Sequence, residues 1–323
     1  IIKKINKSKI SCNNDLTDCA NKMFDNNEVK QLLEQEYKDK DENNYIFLGI
    51  SLDDYKNGFN KNNGCIAGKC KWKNIHLDNS SMIRISKDIS YNINDEIKLI
   101  EINQLSPDGK VVFYSGKISD WTIIFSGNTS IESSEKSRLD SDGLTGCLTF
   151  MDIDIKNVLI KTISAPCEDS VNFIRANGKE ISIDINHSKS DALDADFSNL
   201  DFNFVDIMNS DNDCLDFSGG KYKISLVNLD SCRDKAISIG ENSIVDVKEG
   251  IIKNSKIGIA TKDSSSAFVN ELDIENVDLC LAAYRKKQEF TGALIDINQY
   301  NCKNYKHENY ISRDSQLSIK NEL

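Results

Sequence analysis

Four residues at a strict spacing of 22 could do chemistry together: Asp169, Asp191, Asp213 and Lys235. A second set at the same spacing holds Asn172, Asp194, Asp216 and Ser238. If residues 22 apart stack, like carboxylates fall about 5 Å from one another. Such neighbours resist full ionisation. Either one pKa rises, giving a general acid beside a general base, or a cation settles among them. Oxygen-rich clusters suit Ca²⁺, and Asp169, Asp191 and Asp213 are the expected ligands. The milder alternative is that Asp and Asn at chain corners bond backbone groups and shape turns. The stretch from Glu168 to Asp216 carries twelve acids against three bases, in a chain whose net charge is −11.

A repeat must position these residues. Segments starting at Glu168, Ser190, Asn212, Asp234, Lys256 and Asp278 align without a gap. Their fourth positions read Val171, Leu193, Leu215, Ile237, Ile259 and Leu281, and their sixth read Phe173, Ala195, Phe217, Ile239, Thr261 and Ala283. Small or polar residues alternate with them, the period-two pattern of a strand with one buried face. A second alternating run follows in each unit, such as Ile181-Ser182-Ile183-Asp184-Ile185. A further unit near Gly146 aligns after a one-residue slip. Units this short cannot fold alone and must stack. Only 2 Pro are present, as parallel ladders require, and Asn and Asp tolerate left-handed corners. The expected fold is all-β: a right-handed parallel β-helix with coils of about 22 residues, its handedness following the general rule for parallel crossovers. In that fold the fifth-position residues should face outward.

The 10 Cys support the same reading. None has CxxC spacing and only 3 His are present, so Cys/His metal ligation is not expected. Cys280 and Cys302 are 22 apart, so stacking brings them within bridging range; Cys147–Cys167 and Cys214–Cys232 span almost one coil. Cys12–Cys19 and Cys65–Cys70 are local pairs. Five disulfides, as opposed to buried thiols, imply export to an oxidising compartment: secreted, cell-surface or periplasmic. The opening Ile1-Ile2-Lys3-Lys4 is too short and polar for a signal peptide, so any leader would already be removed.

The domain reading follows. Residues 1–45 form a short α-helical N-terminal cap, with Leu16, Ala20, Met23 and Phe24 on one face, and Asn27 capping a second helix that carries Val29, Leu32, Leu33 and Tyr37. Such a cap covers the open end of a stack. Residues 46–145 form strand-rich early coils, with a polar loop at 127–145. Residues 146–302 form the regular β-helix, and 303–323 a C-terminal cap or tail. No run of eighteen apolar residues spans a membrane. The acidity disfavours nucleic acid, which needs clustered Lys and Arg.

Three consecutive coils read SDALDADFS, NDCLDFSGG and CRDKAISIG. They resemble the TDG(I/L)D, DDC(I/V)A and GHGISIG coils of carbohydrate-active β-helix proteins, the polygalacturonase and pectate lyase-like group. Asp191 matches the catalytic aspartate of the first motif, Asn212-Asp213-Cys214 the DDC, and Ile237-Ser238-Ile239-Gly240 the ISIG. The likeness covers about residues 190–241. The family's general acid falls at Asn212, an amide, and its His at Lys235; no RIK follows, and Arg285-Lys286-Lys287 lies on a later coil.

The resemblance implies an exported protein that binds or cleaves an acidic polysaccharide. In a lyase-like site, Ca²⁺ on Asp191 and Asp213 would neutralise a uronate while Arg233 or Lys235 takes the α-proton. A hydrolase would pair Asp191 with Asp213 or Asp194. Asp194, Asp216 and the aromatic-basic pair Tyr284 and Arg285 are the expected substrate contacts. The alternative is a non-catalytic structural or adhesive protein of the cell surface or virion.

Overall fold

The computed structural model describes residues 65–66, 69–70, 72–77, 81–128 and 143–322. The expected helical cap at 1–45, the Cys12–Cys19 pair and most of the 127–145 loop lie outside these residues. So does any bridge between Cys65 and Cys70, which are register partners on two antiparallel strands, Cys65–Ile66 and Lys69–Cys70. The chain divides into units 1–60 and 61–323, and the second is described here.

This unit is a β-solenoid of about ten turns, with no helix among the described residues. Each regular coil has a short strand, a bend and a long strand. The short strands Gly146–Met151, Asp169–Ile174, Asp191–Asp196, Leu215–Ser218 and Lys235–Gly240 pair in parallel. The long strands Asp154–Ala165, Asn177–Ser188, Asn199–Ser210 and Lys221–Cys232 form a second parallel series. In later coils the two merge into Ile244–Lys262, Ser266–Tyr284 and Leu294–Ile311. The strand Gln316–Glu322 pairs in parallel with the last of these, so residues 303–322 continue the stack.

The register is the one the repeat requires. Val171, Leu193, Leu215, Ile237, Ile259 and Leu281 are successive partners. All six are fully buried, because each side chain covers the one beneath it. The first step, Leu148 to Val171, takes 23 residues, the anticipated slip. An aromatic column fills the wider interior: Phe113 on Phe150 at 4.9 Å and Phe150 on Phe173 at 5.1 Å. Ala195 breaks that column, and Phe202 from the long-strand series packs edge-on to Phe173 at 6.2 Å. At one corner Asn254, Asn276 and Asn304 all take positive φ and bond one to the next, at 3.2 and 3.1 Å. Asn suits both demands, since it accepts the left-handed backbone and its amide donates and accepts.

Two expectations are corrected. The early region is not built of coils throughout. Trp72–Leu77 with Ser81–Ser86, and Ile89–Asn94 with Leu99–Gln104, are antiparallel pairs. In the second, Asn94 Oδ1 accepts the N–H groups of Glu96 (3.1 Å) and Ile97 (3.3 Å), a turn that reverses the chain. Parallel pairing starts with Leu99–Gln104 on Thr122–Ser126 and Val111–Tyr114 on Gly146–Met151.

The second correction concerns Cys280 and Cys302. They are bridged, with Cα atoms 6.5 Å apart, but they are not register partners. Residues 285–292 lengthen that coil to 28, so Cys302 pairs with Ile274. The bridges Cys147–Cys167 and Cys214–Cys232 also form, with Cα separations of 5.4 and 5.5 Å. Three disulfides fit an exported protein. Among the described residues no helix is long and apolar enough to cross a membrane.

Candidate functional site

Stacking brings six of the expected site residues together on consecutive coils, five on the short strands and Asp213 just before one. Asp169 and Asp191 are register partners, as are Asp194 and Asp216. Asp169, Asp191 and Asp213 are buried. Asp191 Oδ1 accepts the backbone N–H of Asp213 at 2.9 Å and Asn212 Nδ2 at 2.7 Å. One coil on, Asp213 Oδ1 accepts the backbone N–H of Lys235 at 2.9 Å. Lys235 Nζ lies 3.1 and 3.2 Å from the two oxygens of Asp213 and also bonds Asp234. Asp191 and Asp213 thus each hold a backbone N–H of the next coil. That is the turn-forming role of Asp, repeated from coil to coil.

Burial dominates the electrostatics. It pushes the Asp191 carboxyl up to about 7, against the bonds from Asp213 and Asn212 and with help from the charges of Asp213 and Asp216. Burial also raises Asp213, although the Lys235 ammonium opposes it. Burial alone would lower Lys235, but Asp213 and Asp234 outweigh it and hold the ammonium above its usual range. Lys235 is therefore protonated, the wrong form for abstracting a proton.

A carboxyl whose folded pKa exceeds its unfolded value binds its proton more tightly when folded. Its stabilisation is complete below the ordinary value of 3.8 and is lost as pH rises through about 7. The melting temperature should consequently be higher near pH 5 than near pH 8. Asp191→Asn, whose amide oxygen still accepts both bonds, should flatten that profile. A profile equally steep in the variant would remove Asp191 as its source.

The fifth-position column departs from expectation. Asn172, Asp194 and Ser238 alternate with core residues as anticipated, yet they are buried and not exposed to solvent. Asn172 Nδ2 donates to Asp194 Oδ2 at 3.2 Å, and Lys262 Nζ donates to Ser238 Oγ at 2.7 Å. Lys262 lies across Gly240, with Nζ 3.9 Å from Asp216 Oδ1. Burial first, then the charges of Asp169, Asp196, Asp216 and Asp191, raise Asp194 well above the usual carboxylate range.

Of the remaining candidates, the two arginines are exposed, and Tyr284 lies within reach of the charges of Lys235, Asp234 and Asp213. Arg233 is 74% exposed and 3.2 Å from Asp211. Arg285 is exposed, 3.5 Å from Asp314. Tyr284 is half-buried, packs edge-on to Tyr310 at 6.2 Å, and has its hydroxyl pKa raised by burial. Among the described residues no group of three His, Cys, Asp or Glu is placed to hold a metal ion. The donors also suit Ca²⁺ poorly: Asp191 Oδ1 already takes two N–H groups, and the Lys235 ammonium covers Asp213.

A different feature stands out on the long-strand face. A groove of about 520 Å³ is lined by Lys117, Lys156, Lys179, Lys221 and Lys223, with Asp154, Asp201, Asn177 and Asn199 between them. Lys117, Asp154, Asn177, Asn199 and Lys221 form one register column, four steps or about 19 Å long. Asn199 Nδ2 donates to Asn177 Oδ1 at 3.3 Å, and Asn177 Nδ2 to Asp154 Oδ1 at 3.5 Å. All five lysines are exposed. Among the described residues, Lys156, Lys179, Lys221 and Lys223 form no ion pair. A second groove of about 590 Å³ shares Lys117, Asp154 and Asn177 and adds Arg175 and Asp152. Those two make a two-pronged ion pair, with both contacts at 2.7 Å. The sequence reading missed this face. Its signal was available, since Lys179, Asp201 and Lys223 are themselves 22 apart.

Comparison with family models, curated proteins and solved structures finds no match. The likeness to the polygalacturonase and pectate lyase-like group therefore rests on the quoted coils alone.

Proposed function

We propose that this exported β-solenoid binds an acidic polysaccharide in its lysine groove and holds it without cleaving it. The observation that carries the reading is the set of four lysines free of ion pairs, gathered on one face of a protein whose net charge is −11. Unneutralised cations in a groove attract an anionic chain, and low-dielectric walls strengthen the effect. The Asn177–Asn199 ladder offers amide donors and acceptors suited to sugar hydroxyls. The acidic remainder of the surface disfavours a densely charged duplex. The resemblance to carbohydrate-active β-helices supports a sugar ligand. Cleavage is not favoured, because Asp191 and Asp213 are engaged in coil-to-coil bonds and Lys235 is held protonated. A rigid disulfide-stapled stack that grips a glycan would act as an adhesive or structural surface protein.

Binding can be measured by calorimetry on polygalacturonate, alginate and sulfated galactans at low and high salt. The wild type should bind at least one of them, more weakly in high salt. Combining Lys156→Ala, Lys179→Ala, Lys221→Ala and Lys223→Ala should weaken binding at least about tenfold, roughly 1.4 kcal/mol. EDTA should leave affinity unchanged, and no unsaturated uronide should accumulate. Equal affinity in wild type and the fourfold variant would rule out the groove; released product would rule out the non-cleaving role.

A further inference from the structure

Phe197 is held in a conformation aromatic residues avoid, with its ring in water. Its φ is +50°, a strained value for a bulky side chain, and the residue is 61% exposed. Nineteen non-glycine residues with positive φ are found among the described residues, mostly Asn, Asp and Ser, and Phe197 is the one with an apolar side chain. A lone exposed apolar residue is ordinary; strain together with exposure is not.

The surroundings accommodate the ring. Gly219 sits one coil on, at φ +66°, where an added Cβ would lie 2.6 Å from Phe197 Cδ1 and 2.7 Å from Cε1. Only glycine at 219 leaves room for the ring to rest on the backbone. Asp152, Arg175, Phe197 and Gly219 follow the register partners Met151, Ile174, Asp196 and Ser218, so they form one corner column. Arg175 lines the second groove and Asn199, two residues after Phe197, lines the lysine groove. Phe197 thus stands one coil step from Arg175 of the second groove and two residues before Asn199 of the lysine groove, next to the residues that line them.

We infer that Phe197, bedded on Gly219, is a stacking platform for one face of a pyranose ring of the glycan in the lysine groove. This rests on the polysaccharide reading and adds a requirement to it. Lysines alone recognise any polyanion. The electron-rich face of an aromatic ring meets the weakly positive C–H groups on one side of a sugar, and so selects an acidic sugar over other anionic polymers.

The test pairs oligomers of galacturonate, guluronate, glucuronate and sulfated galactose with polyglutamate, an anionic chain without sugar rings. The wild type should bind one of the oligosaccharides more tightly than polyglutamate of equal charge. Phe197→Ala should weaken that oligosaccharide about tenfold, the scale of losing one stacked ring, and leave polyglutamate unchanged. Phe197→Tyr should restore the oligosaccharide affinity. Phe197→Gly should lose the binding yet melt no lower than wild type, since glycine takes positive φ without strain. Unchanged oligosaccharide affinity in Phe197→Ala, or equal loss for both polymers, overturns the platform while the groove stands. A large fall in the melting temperature of Phe197→Gly makes the ring structural and also overturns it. Failure of the wild type to bind any oligosaccharide removes both platform and groove.

Discussion

Leu215→Asp is expected to prevent folding of the stack. Leu215 is fully buried between its register partners Leu193 and Ile237, with Phe217 two residues on. The substitution removes a buried apolar side chain, about 1.5–3 kcal/mol, and puts an unpaired carboxylate in its place. The carboxylate must stay protonated or draw in water. Either way the total loss should exceed about 4 kcal/mol, a large part of a typical domain's stability. Because each coil rests on its neighbours, the damage should spread along the column. Urea denaturation followed by circular dichroism reads the effect. Leu226→Asp is the control: Leu226 lies on the adjoining long strand but is partly exposed, and the same change there should cost under about 1 kcal/mol. Similar unfolding midpoints for the two variants would mean that the fourth-position column is not the core.

Asp213→Ala is the second large effect. It leaves the Lys235 N–H without its acceptor and takes one carboxylate from a nearly buried ammonium. Removing one partner of such a pair costs about 3–5 kcal/mol when nothing else compensates. Asp234 still bonds Lys235, so a loss of about 2–3 kcal/mol is expected. Asp213→Asn should fall between, since its amide oxygen keeps the backbone bond. Calorimetric melting distinguishes the outcomes. A variant that melts like wild type but no longer binds glycan would move Asp213 from the fold into the binding machinery.

These two results bear on where function resides. On the short-strand face Asp191 and Asp213 are spent on joining coils, whereas Lys156, Lys179, Lys221 and Lys223 of the long strands form no ion pair among the described residues. A chain with excess negative charge gathers four lysines without ion pairs in one groove, interleaved there with only Asp154 and Asp201, so salt should weaken whatever anion binds there.

The repeat was readable because its cause is local and periodic. Val171, Leu193 and Leu215 recur at 22 because each must cover the next, and the parallel register, the buried fourth and sixth positions and the Cys147–Cys167 and Cys214–Cys232 bridges follow from that periodicity. The early hairpins were not readable in the same way. Asn94 reverses the chain through its side-chain oxygen, and an alternating strand looks alike whether its partner runs parallel or antiparallel. The coil lengthened at 285–292 likewise shifted Cys302 onto Ile274 without preventing its bridge to Cys280.

For the site, sequence alone determined which side chains share a column, since that depends only on spacing. It thereby assembled the Asp169, Asp191, Asp213 and Lys235 ladder. Tertiary structure decided what those side chains do. Whether a carboxylate faces a ligand or the next coil's peptide depends on the path of the backbone at the corner, and whether a fifth-position residue is wet depends on what packs against it. Spacing likewise set Lys179, Asp201 and Lys223 in step, but tertiary structure decided that they line one groove and that Phe197 is strained: net charge sums over the whole chain, but attraction depends on which charges lie close together and unpaired.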